Sequence, residues 1–286
     1  MIQDIYPSKF NNYYMDYEMT VEDYVLWFNA EGKAYVRIKE RQIGFVTGSD
    51  VKKSPVIYLF SIDNQKYFLS LGEESFQNSE YGYYSTRELR DKSSGKELFA
   101  VFSAYHLWRW YTDNRYCGRC AGRLEPGKKE RSLVCPSCGN VVYPRINPAV
   151  IVGVIKGEKL LITRYRNGYA HNALVAGFTE FGETLEETVA REVMEETGVK
   201  VKNIRYYKSQ PWGMAQDILV GFFCEADGDG NIHMDESELK YAEWVSREDI
   251  VLQPNNLSLT NEMMKEFKEG KVISFGITAG KNDNGG

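Results

Sequence analysis

Four of the five cysteines stand in two CxxC pairs, Cys117-Gly-Arg-Cys120 and Cys135-Pro-Ser-Cys138. No other feature limits the fold as firmly, because four sulfurs at this spacing have few uses. Zinc favours tetrahedral thiolate coordination at about 2.3 Å, and two CxxC knuckles facing each other supply it. Redox-active thiols are the competing reading, but two such motifs at ribbon spacing in a non-secreted chain favour zinc. A four-cysteine site leaves no open coordination position, so the expected role of the ion is structural. Gly118 and Gly139 fall where each knuckle is expected to turn sharply. Arg115, Arg119, Arg123, Lys128, Lys129 and Arg131 make the segment basic. They are read as a solvated face on a folding staple, with nucleic-acid contact as the alternative. Cys224, inside an apolar run, is expected to be a buried small hydrophobe.

The cysteine segment divides the chain. Residues 1–111 are rich in Tyr and Phe, with β-like runs at 34–38, 56–60 and 67–71, and predict a β-rich N-terminal domain. Leu98, Val101, Phe102, Tyr105 and Trp108 have helical spacing and predict an amphipathic helix over 97–111. The zinc ribbon takes 112–143. Residues 144–275 alternate apolar runs (149–155, 160–163, 218–224) with one charged helical stretch, 184–196, and form a third domain. The Gly- and Asn-rich end, 276–286, predicts a flexible tail. No run approaches the ~18 apolar residues of a membrane span, and the first ten residues lack a signal peptide's apolar core. We therefore expect a cytoplasmic protein without a membrane partner. A net charge of −5 argues against a surface basic throughout, as duplex DNA would require.

The chemistry concentrates between Gly177 and Val199. Thr184 with Glu187 three residues later is a capping-box pattern, and Leu185, Val189 and Val193 supply an apolar helical face. Glu192, Glu195 and Glu196 stand at i, i+3 and i+4, so their carboxylates leave from one side. Clustering like charges costs energy unless a cation relieves it, and Mg²⁺ takes oxygen ligands together with substrate phosphates. Gly198 falls where a C′ glycine ends a helix. An ordinary solvated helix would explain the glutamates. It would not explain Gly177, Glu183, Arg191, Glu192, Glu195, Glu196 and Gly198 together.

These residues fill every fixed position of G-x5-E-x7-R-E-U-x-E-E-x-G-U, with Val193 and Val199 as the aliphatic sites, and the segment resembles the Nudix box. The resemblance implies an α+β chain: a Nudix α/β/α sandwich with a mixed sheet, preceded by the four-cysteine ribbon and the β-rich domain. It implies hydrolysis of a nucleoside diphosphate derivative by water activated with Mg²⁺ or Mn²⁺. Glu192 and Glu196 are then metal ligands, Glu195 a ligand or helper of the base, and Arg191 pairs with Glu183 to orient the box. Three features outside the box are similar to NADH pyrophosphatases: the domain order, Ser209-Gln210-Pro211-Trp212 against SQPWPFPxS, and Glu238-Leu239 with Trp244 against E-L-x-x-A-x-W. The stretch 213–217 departs from that signature, so a more flexible loop is expected there, with Asp217 where the family has serine.

The resemblance further implies that Phe178 stacks on the nicotinamide and that Gln210 and Trp212 help define the pocket wall. Ile151, Asp217 and Tyr143 are further substrate contacts, Tyr143 reaching the partner's site in a homodimer. The backbone carbonyl of Ala176 and the carboxylate of Glu238 are additional metal ligands. Trp244 is read as core, and His106, His171 and His233 receive no role. The activity implied is cleavage of NAD(H) to NMN(H) and AMP, with the NAD cap of an RNA 5′ end as a related substrate. ADP-ribose or another dinucleotide is the enzymatic alternative, and a non-catalytic ribbon adaptor or ligand sensor is the other.

Overall fold

The computed structural model describes residues 1–51, 54–72, 78–167 and 171–272; the predicted tail at 276–286 lies outside them. The chain forms two compact units. One comprises Ile2–Ile146 with Pro211–Asp217, and the other Met1, Asn147–Gln210 and residues from Ile218 onward.

The first unit is β-rich, as its composition predicts. A five-stranded sheet runs in the order Phe10–Asn11, Val56–Ile62, Gln65–Ser70, Tyr24–Leu26, Val46–Thr47. A three-stranded sheet joins Gln42–Gly44, Ala34–Lys39 and Gly82–Tyr84. Val25, Trp27, Tyr35, Tyr58 and Phe68 form part of its core. Two helices follow, α1 (Thr86–Lys92), closed by a Ser85–Glu88 capping box, and α2 (Lys96–Asp113). The predicted amphipathic face of α2 is wider than its spacing implies. Phe99, Ala100, Ala104, Trp110 and Tyr111 are buried along with Leu98, Val101, Phe102 and Trp108. A helix apolar on so many sides is packed on so many sides.

The ribbon belongs to this unit, with short strands Glu125–Pro126, Leu133–Val134 and Val141–Val142. Each knuckle is closed by the same bond. The Ala121 amide donates to the Cys117 carbonyl (2.8 Å) and the Gly139 amide to the Cys135 carbonyl (2.9 Å). The left-handed residues are Ala121 (φ 58°) and Gly139 (φ 70°), both four positions after a cysteine. Gly139 turns as expected, but Gly118 does not: Ala121 takes the strained place in the first knuckle.

The second unit is built on one sheet, ordered Lys200–Trp212, Asp217–Asp227, Asn147–Lys156, Lys159–Tyr165, Leu239–Ser246, with Val175–Phe178 also paired to Asn147–Lys156. Strand Asn147–Lys156 is apolar nearly throughout because both its faces are covered. Val150, Val152 and Val154 pack with Val189 and Val193 of α3 (Leu185–Thr197). Ile151 and Ile155 pack with Leu259, Met263 and Phe267 of α4 (Leu259–Lys268). Strand residues alternate faces, so α3 and α4 lie on opposite sides, a helix–sheet–helix sandwich. Cys224 is fully buried on the α3 side and Trp244 is half-buried against the same cluster, as expected of core residues. Among the described residues no helix is long and apolar enough to cross a membrane.

Candidate active site

The α3 N-terminus forms as its sequence predicts. Thr184 accepts from the Glu187 amide (3.2 Å), while the Glu187 carboxylate accepts from the Thr184 amide (2.7 Å). Its end is the left-handed Gly198 (φ 68°). Between these caps the apolar stripe seats α3 on the sheet, which turns Glu192 and Glu196 toward strand Val175–Phe178. The contact is close. A Cβ on Gly177 would stand 1.9 Å from the Glu192 carboxyl carbon, so only glycine lets that side chain lie across the strand.

Arg191 organises the outer carboxylates. Its guanidinium makes a two-pronged contact with Glu183 (2.6 and 3.0 Å) and donates to Glu192 (2.8 Å), Glu195 (3.0 Å) and the Phe178 carbonyl (2.9 Å). Bidentate arginine–carboxylate pairing fixes orientation as well as charge. Arg191 holds the Glu183 carboxyl down to about 2. Thr188 adds a hydroxyl at 3.0 Å and the Glu180 amide a donor at 3.1 Å.

Glu196 is held differently. It is 2% exposed, and its carboxylate accepts from the Tyr165 hydroxyl (3.0 and 3.1 Å). That hydroxyl also accepts from the Ala176 amide at 3.1 Å. No cation pairs with Glu196 among the described residues. Burial, and after it the charges of Glu192 and Glu238, push its carboxyl up to about 8. Burial raises Glu192 as well, despite Arg191. Glu238 reaches this group because Leu239 pairs with Tyr165 across the sheet edge. Glu192 and Glu238 thus bear on Glu196 with too little positive charge among the three, and carboxylate oxygens are the donors a hard divalent cation takes, although they are not drawn together here as the four cysteine sulfurs are.

The four cysteines pass a stricter test. Their sulfurs all lie within 4.8 Å of one another, with Cys117–Cys138 at 3.7 Å and Cys120–Cys135 at 3.4 Å. Tetrahedral zinc with thiolates at about 2.3 Å requires sulfur separations of about 3.8 Å. The Arg119 amide donates to Cys117 Sγ (3.4 Å) and, as the largest cause, draws that thiol down to about 6, toward the ligating thiolate. Of the six basic residues, Arg131 does not belong to a solvated face. Its guanidinium is largely buried, donates to the Leu59 and Asn12 carbonyls and lies over the Tyr14 ring.

The remaining predicted residues are dispersed. Phe178 is 53% exposed on the strand beside Gly177. Ile151 is buried in the α4 core. Gln210 is fully buried, donating to the Leu257 carbonyl (2.9 Å) and accepting from the Leu259 amide (2.7 Å), so its amide caps α4. Trp212, Asp217 and Tyr143 belong to the other unit. There the Trp212 ring meets Phe102 edge-on at 5.6 Å and carries Arg90 over its face. Asp217 is buried, and the exposed Tyr143 donates to Glu130 (2.8 Å). The stretch 213–217 is anchored rather than loosened. A Cβ on Gly213 would come within 2.0 Å of the Phe102 carbonyl, and the buried Gln216 bonds both Arg145 (2.9 Å) and the His106 carbonyl (3.2 Å). Tyr165 is the residue that sequence reasoning missed.

Residues 145–267 match the NUDIX domain, and residues 113–143 match the NADH pyrophosphatase zinc ribbon domain. This part of the chain is therefore a Nudix domain preceded by the ribbon of NADH pyrophosphatases. More particularly, the chain is similar to proteins named NudC. It is 44% identical over 174 residues to the NAD-capped RNA hydrolase NudC of Shigella flexneri, covering 59% of this chain and 66% of that protein. Against the NAD-capped RNA hydrolase NudC of Escherichia coli (strain K12 / DH10B) it is 43% identical over the same length and shares. The match spans just under two thirds of those relatives. A solved NUDIX hydrolase from Nitrosomonas europaea is 21% identical, covering 55% of this chain and 92% of that one, with a TM-score of 0.48.

Proposed function

We propose that the chain hydrolyses the pyrophosphate bond of NAD(H) to NMN(H) and AMP with Mg²⁺ or Mn²⁺, and that the same bond in an NAD cap on RNA is within its reach. One observation carries the reading: Glu196 is buried under the charges of Glu192 and Glu238, with no cation paired to it among the described residues, at the end of a complete Nudix box. The ribbon and the NudC relatives supply the choice of dinucleotide.

Glu192, Glu195, Glu196 and Glu238, with the Ala176 carbonyl, would hold the ion. Bound there, it would supply charge neutralisation for the diphosphate and a water of lowered pKa. Arg191 keeps Glu192 and Glu195 in place through its anchor on Glu183 and remains the positive group nearest the outer carboxylates. Glu195, the more exposed of the box glutamates, assists as ligand or helper of the base. Phe178 offers its exposed ring to the nicotinamide, and its carbonyl bond to Arg191 fixes that ring relative to α3. The zinc is structural. We further propose a cytoplasmic location, since zinc-ligating thiolates and the free Cys224 suit a reducing compartment, and a homodimer, which the resemblance to NADH pyrophosphatases implies.

Product analysis tests the reading. Purified protein with Mg²⁺ or Mn²⁺ should convert NADH to NMNH and AMP, and withdrawal of the divalent ion should stop it. Metal-dependent cleavage of ADP-ribose without cleavage of NADH would overturn the substrate assignment.

A further inference from the structure

The first unit contains a cleft of about 1000 Å³ where the ribbon meets the end of the N-terminal sheet and α2. Its depth is aromatic: Trp27, Phe28, Trp108 and Tyr111 line it and are nearly buried. Its mouth is different. Tyr116, 67% exposed, is bridged antiparallel to Arg123, and the Arg115 carbonyl accepts from the Leu124 amide (3.0 Å). Residues directly opposite in such a pair project from the same side, so an exposed ring stands beside a guanidinium. Arg115 and Arg123 are both exposed and pair with no carboxylate among the described residues, and no described lining residue is acidic. In a chain of net charge −5 this is a local reversal of sign.

We propose that this cleft binds a short single-stranded RNA segment, with bases stacked at Tyr116 and phosphates held by Arg115 and Arg123. Aromatic faces accept any base, and cationic side chains follow the backbone without reading sequence. The volume lies at the top of the roughly 300–1,000 Å³ range of small-ligand pockets, so a mononucleotide would leave much of it unfilled. The proposal rests on the RNA half of the function proposed above. None of the cleft's residues belongs to the carboxylate site.

The test uses the full chain with its zinc and an uncapped, 5′-hydroxyl oligoribonucleotide carrying a fluorophore, so that binding is read without any hydrolysable bond. Tyr116→Ala should weaken binding about 10-fold, while Tyr116→Phe, which keeps the ring, should bind as the parent does. Arg115→Gln with Arg123→Gln should weaken it and flatten the dependence of log K on log salt by about 1.4, two single-strand phosphates' worth. Zinc content and NADH hydrolysis should stay at parental values in every variant. Unchanged oligonucleotide affinity in the alanine and glutamine variants overturns the proposal. So does AMP competing as strongly as the oligonucleotide, or a parent chain that binds no RNA. NADH turnover by the parent protein stands or falls separately and decides the hydrolase reading alone.

Discussion

Replacing Glu196 by Gln should stabilise the metal-free protein while destroying its site. A carboxyl raised from 4.5 to about 8 by burial is better tolerated protonated than ionised. Its contribution to stability is fully present below the unfolded value and is lost as pH rises through the folded one. The shift is worth on the order of 5 kcal/mol at about 1.4 kcal/mol per pH unit. Glutamine keeps the volume and can still accept the Tyr165 hydroxyl bond, but it carries no charge at any pH. In buffer free of divalent ions, with zinc retained, the parent should lose stability between about pH 5 and 8 and Glu196→Gln should not. By pH 8.5 the variant should unfold roughly 10 °C higher, given about 2–4 °C per kcal/mol for a domain of this size. Added Mn²⁺ should raise the parental transition and leave the variant's in place, and turnover should be lost in the variant. Calorimetry across pH, with and without Mn²⁺, reads all of this. A variant no more stable than the parent at pH 8.5, or one still shifted by Mn²⁺, would refute the argument that an unneutralised buried charge waits there for an ion.

Two further substitutions separate the roles of neighbouring residues. Gly177→Ala should push Glu192 off the strand, and because displacement of an active-site group by 1 Å costs about 100-fold, NADH turnover should fall by at least that factor with the zinc content unchanged. Cys117→Ser should do the reverse: metal analysis should find zinc lost and the first unit's unfolding temperature lowered, with turnover declining only as folded protein declines.

What was readable in the sequence was local or short in period. The CxxC spacing announced a site that the sulfurs' mutual distances now bear out, because each knuckle closes its own turn within five residues. The capping box at Thr184 and Glu187 and the stop at Gly198 formed because caps are determined by residues three or four apart. The run at 149–155 stood out in the sequence as apolar, and the structure adds that both its faces are covered. Which residues faced which helix needed the second helix in place. The failures share the opposite property. Arg131 read as one more surface cation beside Lys128 and Lys129, since nothing within the ribbon reveals that the Leu59 carbonyl will be its acceptor. The segment after Trp212 looked loosened by its missing prolines, whereas Gly213 is there because the backbone of α2 comes too close for any side chain.

Tyr165 shows why the site itself was only half readable. It is one of 20 tyrosines and stands 31 residues before Glu196, with no spacing rule to single it out. Its position nevertheless determines how the carboxylates divide. Arg191 brings its one positive charge to Glu183, Glu192 and Glu195 and holds them in place, though one guanidinium cannot neutralise three carboxylates. It does not touch Glu196, whose bond partner is a neutral hydroxyl that orients the carboxylate but brings no charge. A helix evolved only for stability would gain by losing that charge, since burying an ionised carboxylate without a cation costs several kcal/mol. The box motif therefore reports which glutamates are present. The fold reports which of them the protein leaves unpaid, and that one is where a divalent ion has the most to neutralise.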